Sequence, residues 1–281
     1  MREQRSYSTE AIILKRTDLG EADRILTLFT PTRGKYHAIA KGIRRPISKK
    51  AGHVELLKRS QLQVALGRNL DIVTQAEGRE SFSHLRAELW HMTCGYYLAE
   101  LIDRFLEEQT PHQDIYNLLL ETLRALDHDA LDYRQRFVNS SPASAPPVSP
   151  SPASHMQHHG RTNLLLRYFE IHLLGAIGYE PAFRHCAHCG SELQAVENGF
   201  APSLGGVLCP QCSRFWAYPL SLNALKVLRL LQRSQWKDVP RLRLDTSLYH
   251  EIEKAMHGLL RFHLERDLKS WSFLEMLDVR A

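Results

Sequence analysis

The apolar residues of this chain change their spacing once, near residue 82, and no other feature limits the available folds so strongly. Before that point apolar side chains recur every second residue or in short runs, the pattern of strands buried on one face. Ala11 to Leu14 form one run, and Ile25, Leu26, Leu28 and Phe29 a second. Tyr36, Ala38 and Ala40 alternate in a third, and Leu62, Val64 and Leu66 alternate with Gln61, Gln63 and Ala65 in a fourth. LDIVTQAE, from Leu70, is the fifth. Pro31 to Gly34 and Gly67-Arg68-Asn69 supply turns between them. Five such segments in so short a stretch predict a small barrel. A short helix around Val54 to Leu57 stays open.

Beyond residue 82 the period becomes helical. Leu85, Leu89, Met92, Tyr96, Ala99, Ile102 and Leu106 recur three or four residues apart. Thr110-Pro111 reads as a cap followed by Pro in the first turn of a helix carrying Ile115, Leu118, Leu119, Leu123 and Leu126. The pattern returns at about Asn163 with Leu165, Leu166, Phe169, Leu173 and Ile177, and two further helical stretches follow at 222–233 and 247–264. These stripes read as the core of a helical bundle. The expected fold is therefore α+β and multidomain, with a barrel first and a helical body after it.

Charge is unevenly spread over the 281 residues. Residues 1–80 hold 16 Lys or Arg against 9 Asp or Glu, a net +7, which leaves −2 for the remainder of a chain whose total is +5. Much of the excess lies in AKGIRRPISKK at 40–50, where Lys41, Arg44, Arg45, Lys49 and Lys50 occur without an acid. Gly42, Pro46 and Gly52 make this a loop between the third and fourth strand segments. A charge run is most often solvated surface, but a basic excess confined to one module also suits a polyanion. The start, MREQRSYSTE, lacks the apolar core of a signal peptide, and no apolar run approaches a membrane span. A cytoplasmic protein with reduced cysteines is expected.

Cys186, Cys189, Cys209 and Cys212 stand as C-x2-C, nineteen residues, C-x2-C. Each C-x2-C turn can aim two sulfurs at one ion, and four thiolates complete a tetrahedral zinc site with no open position, so a structural Zn2+ is expected. Redox chemistry needs only one such pair. Cys94, on the flank of a helical stripe, reads as a small buried hydrophobe. Residues 139–154, NSSPASAPPVSPSPAS, hold little to bury and read as a disordered insert reaching to about 160, with His155, His158 and His159 in its polar tail. Neither a phosphate-binding P-loop nor a dinucleotide fingerprint nor a nucleophile elbow is present, and nothing demands that the chain be an enzyme.

These residues carry a resemblance. AIILKRTDLGEADRILTLFT, GKYHAIAKGIRRP, LGAIGYEPAFRHCAHCG, GGVLCPQC and FHLERDLKSWSFLEML stand in the order seen in the bacterial RecO family of DNA repair and recombination proteins, which the chain resembles over nearly its whole length except the Ser/Pro insert. The resemblance implies an N-terminal OB-fold over residues 1–80, a helical domain over 81–184 and 217–281, and an inserted zinc module over 185–216. It implies binding of single- and double-stranded DNA, annealing of complementary strands, and action with the partner RecR in loading RecA onto strands coated by single-strand DNA-binding protein, whose acidic, Phe-ended tail is also bound. On the barrel, Lys35, Lys41, Arg44, Arg45, Lys49 and Lys50 are the expected phosphate contacts, with Arg33 and Arg68 as loop additions. Tyr36 and Phe29 are stacking candidates that on strands are more often core. For the tail, Arg161, Arg167, Arg229 and Arg233 are offered without a pocket being located. The rival class is a zinc-ribbon RNA-binding or transcription factor, which would share both the basic barrel and the cysteines.

Overall fold

A computed structural model describes residues 5–135, 160–214, 217–239, 242 and 244–280. Apart from Gly160, the expected Ser/Pro insert and its histidines lie outside the described residues. The chain forms two compact units, Met1–Ala130 and Leu131–Ala281.

The first unit opens with β1 (Ser6–Leu19), β2 (Asp23–Thr30), β3 (Gly34–Ala40), β4 (Arg59–Ala65) and β5 (Asp71–Glu80), which close into a barrel in the order β1-β2-β3-β5-β4. Closure depends on the length of β1. Its first half, Ser6 to Ile12, pairs antiparallel with β4, and its second half, Ile12 to Leu19, pairs antiparallel with β2, across a register shift between Ile13 and Lys15. A single bent strand thus serves two neighbours. The last gap closes where Ala38 and Ile39 of β3 pair parallel with Asp71 and Ile72 of β5. Ala11, Ile13, Leu26, Leu28, Tyr36, Ala38, Leu62, Val64 and Val73 fill the interior. The run Ala11 to Leu14 does not alternate because the strand is buried on both faces. Ile12 and its cross-strand partner Phe29 are fully buried away from that cluster, and the Phe29 ring lies 5.7 Å from Tyr116.

Tyr116 belongs to α3 (Gln113–Tyr133), which follows α1 (Ser83–Ala87) and α2 (Leu89–Phe105). The expected continuous helix from 82 to 106 breaks at Glu88, whose backbone is extended. The amides of His84 and Leu85 both donate to the Asp127 carboxylate at 2.9 Å, so the free N-terminus of α1 is capped by α3. Thr110-Pro111 does not start α3. The Gln109 amide donates to the Lys35 carbonyl at 2.7 Å and Glu108 bridges Lys35, so this segment is committed to the edge of β3. The open question at Val54 to Leu57 resolves as a single 3-10 turn at Ala51–His53, after which Val54 and Leu57 are buried as irregular chain.

The second unit holds α4 (Gly160–Ala176), α5 (Leu222–Arg233), α6 (Thr246–Leu264) and α7 (Lys269–Arg280), the last of them not anticipated. Ser221 caps α5 by accepting from the Ala224 amide, and its own hydroxyl donates to Glu251 at 2.7 Å, which ties the start of α5 to α6. Between α4 and α5 lies a small antiparallel sheet, β6 (Asn198–Ala201), β7 (Gly206–Leu208) and β8 (Tyr218–Leu220), in the order β7-β6-β8.

Candidate functional site

The basic loop after β3 is anchored and presented. Ile43 inserts into the barrel core, and successive turns run through it, Arg45 N to Gly42 O, Ser48 N to Arg45 O and His53 N to Lys50 O. Two acids of the β1–β2 hairpin hold its start. The Asp23 carboxylate accepts the Gly42 amide at 2.7 Å, and Arg44 donates from its backbone to Ala22 O and from its guanidinium to Gly20 O. Arg44 also lies 3.5 Å from Asp18, whose carboxyl is held below the ordinary range chiefly by the hydrogen bond from Arg24. Sequence reasoning named the cations and missed these acids, because the contacts join residues about twenty positions apart with no local signature.

The six expected phosphate contacts therefore differ. Lys41, Arg45 and Lys49 are exposed, with Ile47 between them 87% exposed at the apex. Arg44 is exposed but shares its charge with Asp18. The Lys50 ammonium donates to the Val73 carbonyl at 2.8 Å, and burial lowers its pKa. Lys35 stands apart from the group: it is 7% exposed and its ammonium is held by Asp103 through both carbonyl and carboxylate. Tyr36 and Phe29 are buried in the two faces of the barrel wall.

A second cluster gathers where β1, β3 and β5 begin. The Tyr7 hydroxyl donates to Asp71 at 2.7 Å and lies 3.2 Å from the Tyr36 hydroxyl. Asp71 also accepts the Gly67 amide and pairs with Arg33 at 3.5 Å. The Arg33 guanidinium sits 4.3 Å from the centre of the Tyr7 ring and 5.4 Å from that of Tyr36. Burial first, then the bonds to Tyr36 and Asp71, raises the Tyr7 pKa well above that of a free phenol.

The four cysteines converge. All four sulfurs lie within 4.8 Å of one another, and the sulfurs of Cys189 and Cys209 are 3.9 Å apart. A tetrahedral ion at about 2.3 Å from each thiolate sets such pairs at about 3.8 Å, so the cluster fits zinc in donor type and size. The backbone prepares it. Gly190 takes a left-handed φ of +74° to close the first knuckle by donating to Cys186 O, and the Cys212 amide closes the second on Cys209 O. The knuckles are stitched together by Cys209 N–H donating to Cys186 Sγ at 3.3 Å and by Ala187 N to Val207 O. Hydrogen bonds from Ser191 depress the Cys189 pKa to about 6, while its sulfur neighbours, Cys209 foremost, push Cys212 up to about 12. Four thiolates this close repel one another unless a cation sits between them. Arg229 of α5 fastens the module by donating to the carbonyls of Phe183 and Leu193.

Of the arginines offered for a peptide tail, Arg167 is buried against Glu170 and Glu253, and Arg229 is used as just described. Arg161 lies over Trp236 at 4.8 Å, and Arg233 is exposed. Among the described residues no helix is long and apolar enough to cross a membrane.

A closed five-stranded barrel bearing a tethered basic loop, in one chain with a helical body and a four-cysteine cluster, makes this an α+β protein. The chain belongs to the RecO family. The family models described as Recombination protein O N terminal and C terminal match residues 1–82 and residues 86–138 with 154–272. The DNA repair protein RecO of Roseiflexus sp. (strain RS-1) is 39% identical over 98% of this chain and 87% of its own. That of Dehalococcoides mccartyi (strain ATCC BAA-2100 / JCM 16839 / KCTC 5957 / BAV1) is 34% identical over 99% and 98%. That of Symbiobacterium thermophilum is 34% identical over 96% and 97%.

Proposed function

We propose that this protein is a non-enzymatic DNA-binding mediator of repair and recombination, which anneals complementary single strands and, with RecR, loads RecA onto DNA coated by single-strand DNA-binding protein. The observation that carries the reading is the basic loop: in a chain of the RecO family it is pinned to a closed barrel by Asp23 and Ile43 while Lys41, Arg45 and Lys49 stay exposed. The barrel, read as an OB-fold over residues 1–80, is the DNA-binding domain. Annealing brings two polyanions together and is downhill once their repulsion is screened. Cations that grip phosphates leave base edges free to search for partners, and no nucleotide hydrolysis is needed. Arg44 and Lys50 contribute at the rim of this surface. Lys35, buried on Asp103, supports the barrel edge instead. The helical domain, 81–184 with 217–281, takes the coating protein's acidic tail. The module at 185–216 holds a structural Zn2+ on Cys186, Cys189, Cys209 and Cys212, which fixes the two knuckles. The working compartment is the cytoplasm, at the nucleoid. The family match leaves a zinc-ribbon RNA-binding factor unfavoured.

The test is annealing of strands coated with single-strand DNA-binding protein, with and without RecR, by wild type and by a variant with Lys41, Arg45 and Lys49 changed to Gln. Three lost single-strand phosphate contacts should flatten the log–log salt dependence of binding by about 2 and slow annealing. Equal slopes at equal zinc content would remove the loop from the DNA surface. Preference for RNA over DNA in competition, without annealing, would return the rival class.

A further inference from the structure

We infer that Arg33, set over the Tyr7 ring and held there by Asp71, is a stacking platform for an unpaired nucleobase. The inference rests on the nucleic-acid-binding reading and deepens it, since it assigns the base subsite of the same barrel.

Three observations lead to it. The guanidinium lies 4.3 Å from the Tyr7 ring centre, within cation–π range, and Tyr36 backs the same group at 5.4 Å. Its position is over-determined, because Asp71 pairs with Arg33 and also accepts the Tyr7 hydroxyl and the Gly67 amide. The Arg33 side chain is nevertheless 43% exposed, so a cation held in place still meets solvent. Arginine planes and aromatic rings are the surfaces on which splayed-out bases stack.

Charge decides which part of the nucleic acid fits. A cation meant for phosphate is best left unpaired, as Lys41, Arg45 and Lys49 are among the described residues. Arg33 is neutralised by Asp71, whose carboxylate would repel a phosphate brought close. A base face carries no charge to be repelled. The exposed Arg68, in the turn beside Gly67, can hold the phosphate that follows such a base. Placement fits too. Arg33 precedes β3 and Lys41 follows it, so the eight steps across β3 set them up to about 26 Å apart. That suits one short strand running from the base platform to the phosphate loop, within the several nucleotides such barrels accommodate.

The test uses the full chain and two probes at one low salt concentration: a short oligothymidylate, and the same backbone with abasic residues. Arg33→Lys keeps the charge and loses the plane. It should weaken binding of the oligothymidylate about fivefold or more, with a much smaller effect on the abasic strand. The quenching of a fluorescent purine placed in the strand should fall with it. Equal effects on both probes, or none on either, would overturn the platform. The Lys41, Arg45 and Lys49 variant separates this from the wider reading: it should weaken both probes alike. If it weakens neither, the DNA-binding loop fails; if it weakens both while Arg33→Lys changes nothing, only the platform fails.

Discussion

Glu10 shows how a few side chains tie the barrel to its helices. Its carboxylate accepts from Arg59 at 2.6 Å and from the Tyr116 hydroxyl at 2.5 Å, while Arg59 also reaches Glu80, which Arg124 of α3 grips with two bonds. Burial pushes Glu10 upward, but the bonds from Arg59 and Tyr116 outweigh it, and Glu80 is lowered first by Arg124. Both acids thus fold with pKa values below their ordinary 4.5. The folded state binds fewer protons, so the stabilisation is complete above the unfolded pKa and drains away as pH falls through the folded value. Stability should therefore fall steeply below about pH 4.5. A Glu10→Gln, Glu80→Gln variant, melted across pH 2 to 7, should be less stable at neutral pH and show a flatter acid limb; a parallel curve would mean the network carries no such linkage. None of this was legible in the sequence, since Glu10, Arg59, Glu80, Tyr116 and Arg124 are spread over more than a hundred positions. The four cysteines were legible because each C-x2-C turn writes its geometry into local spacing, and the structure brings the two turns together.

At the scale of elements the sequence placed all five barrel strands, but it showed only Ala11 to Leu14 of β1 (Ser6–Leu19) and none of β6, β7 and β8, and the helical misreadings fall where a neighbour overrides local preference. Thr110-Pro111 has the chemistry of a helix start, yet Gln109 and Glu108 bond to β3 and α3 begins only at Gln113. Gly34 makes that contact possible. It sits at φ +64°, and a Cβ there would come 1.9 Å from the Thr110 carbonyl oxygen. Gly34→Ala should cost roughly 3 kcal/mol, from left-handed strain together with overpacking, and should free residues 107–110 to faster amide exchange. A loss under about 0.5 kcal/mol, the range of an ordinary surface change, would show that the segment docks loosely. The split between α1 and α2 has a similar origin, because Asp127 on α3 supplies the cap that lets α1 stand alone.

For the whole molecule, the zinc proposal makes the second unit's integrity conditional on metal. Purified protein should carry one Zn2+ per chain, and a strong chelator should lower the melting temperature and expose the Cys189 and Cys209 thiols to alkylation. Full thermal stability in metal-free protein would leave the cluster without a structural ion. The sequence by itself determined that strands precede helices, the strand and helix periods, the four-cysteine spacing and the place of the basic loop. These are local patterns, in which each residue's role follows from neighbours a few positions away. Only the tertiary structure decided which cations are free. Lys35 and Lys41 look alike in sequence, but one is folded under Asp103 and the other faces solvent. It likewise decided that Tyr36 and Phe29 are buried in the barrel wall while Arg33, over the Tyr7 ring, keeps 43% of its side chain exposed. Burial and ion pairing are set by closure of the barrel, which brings residues 7, 33, 36 and 71 together, and no local spacing encodes where a closed sheet places its far ends.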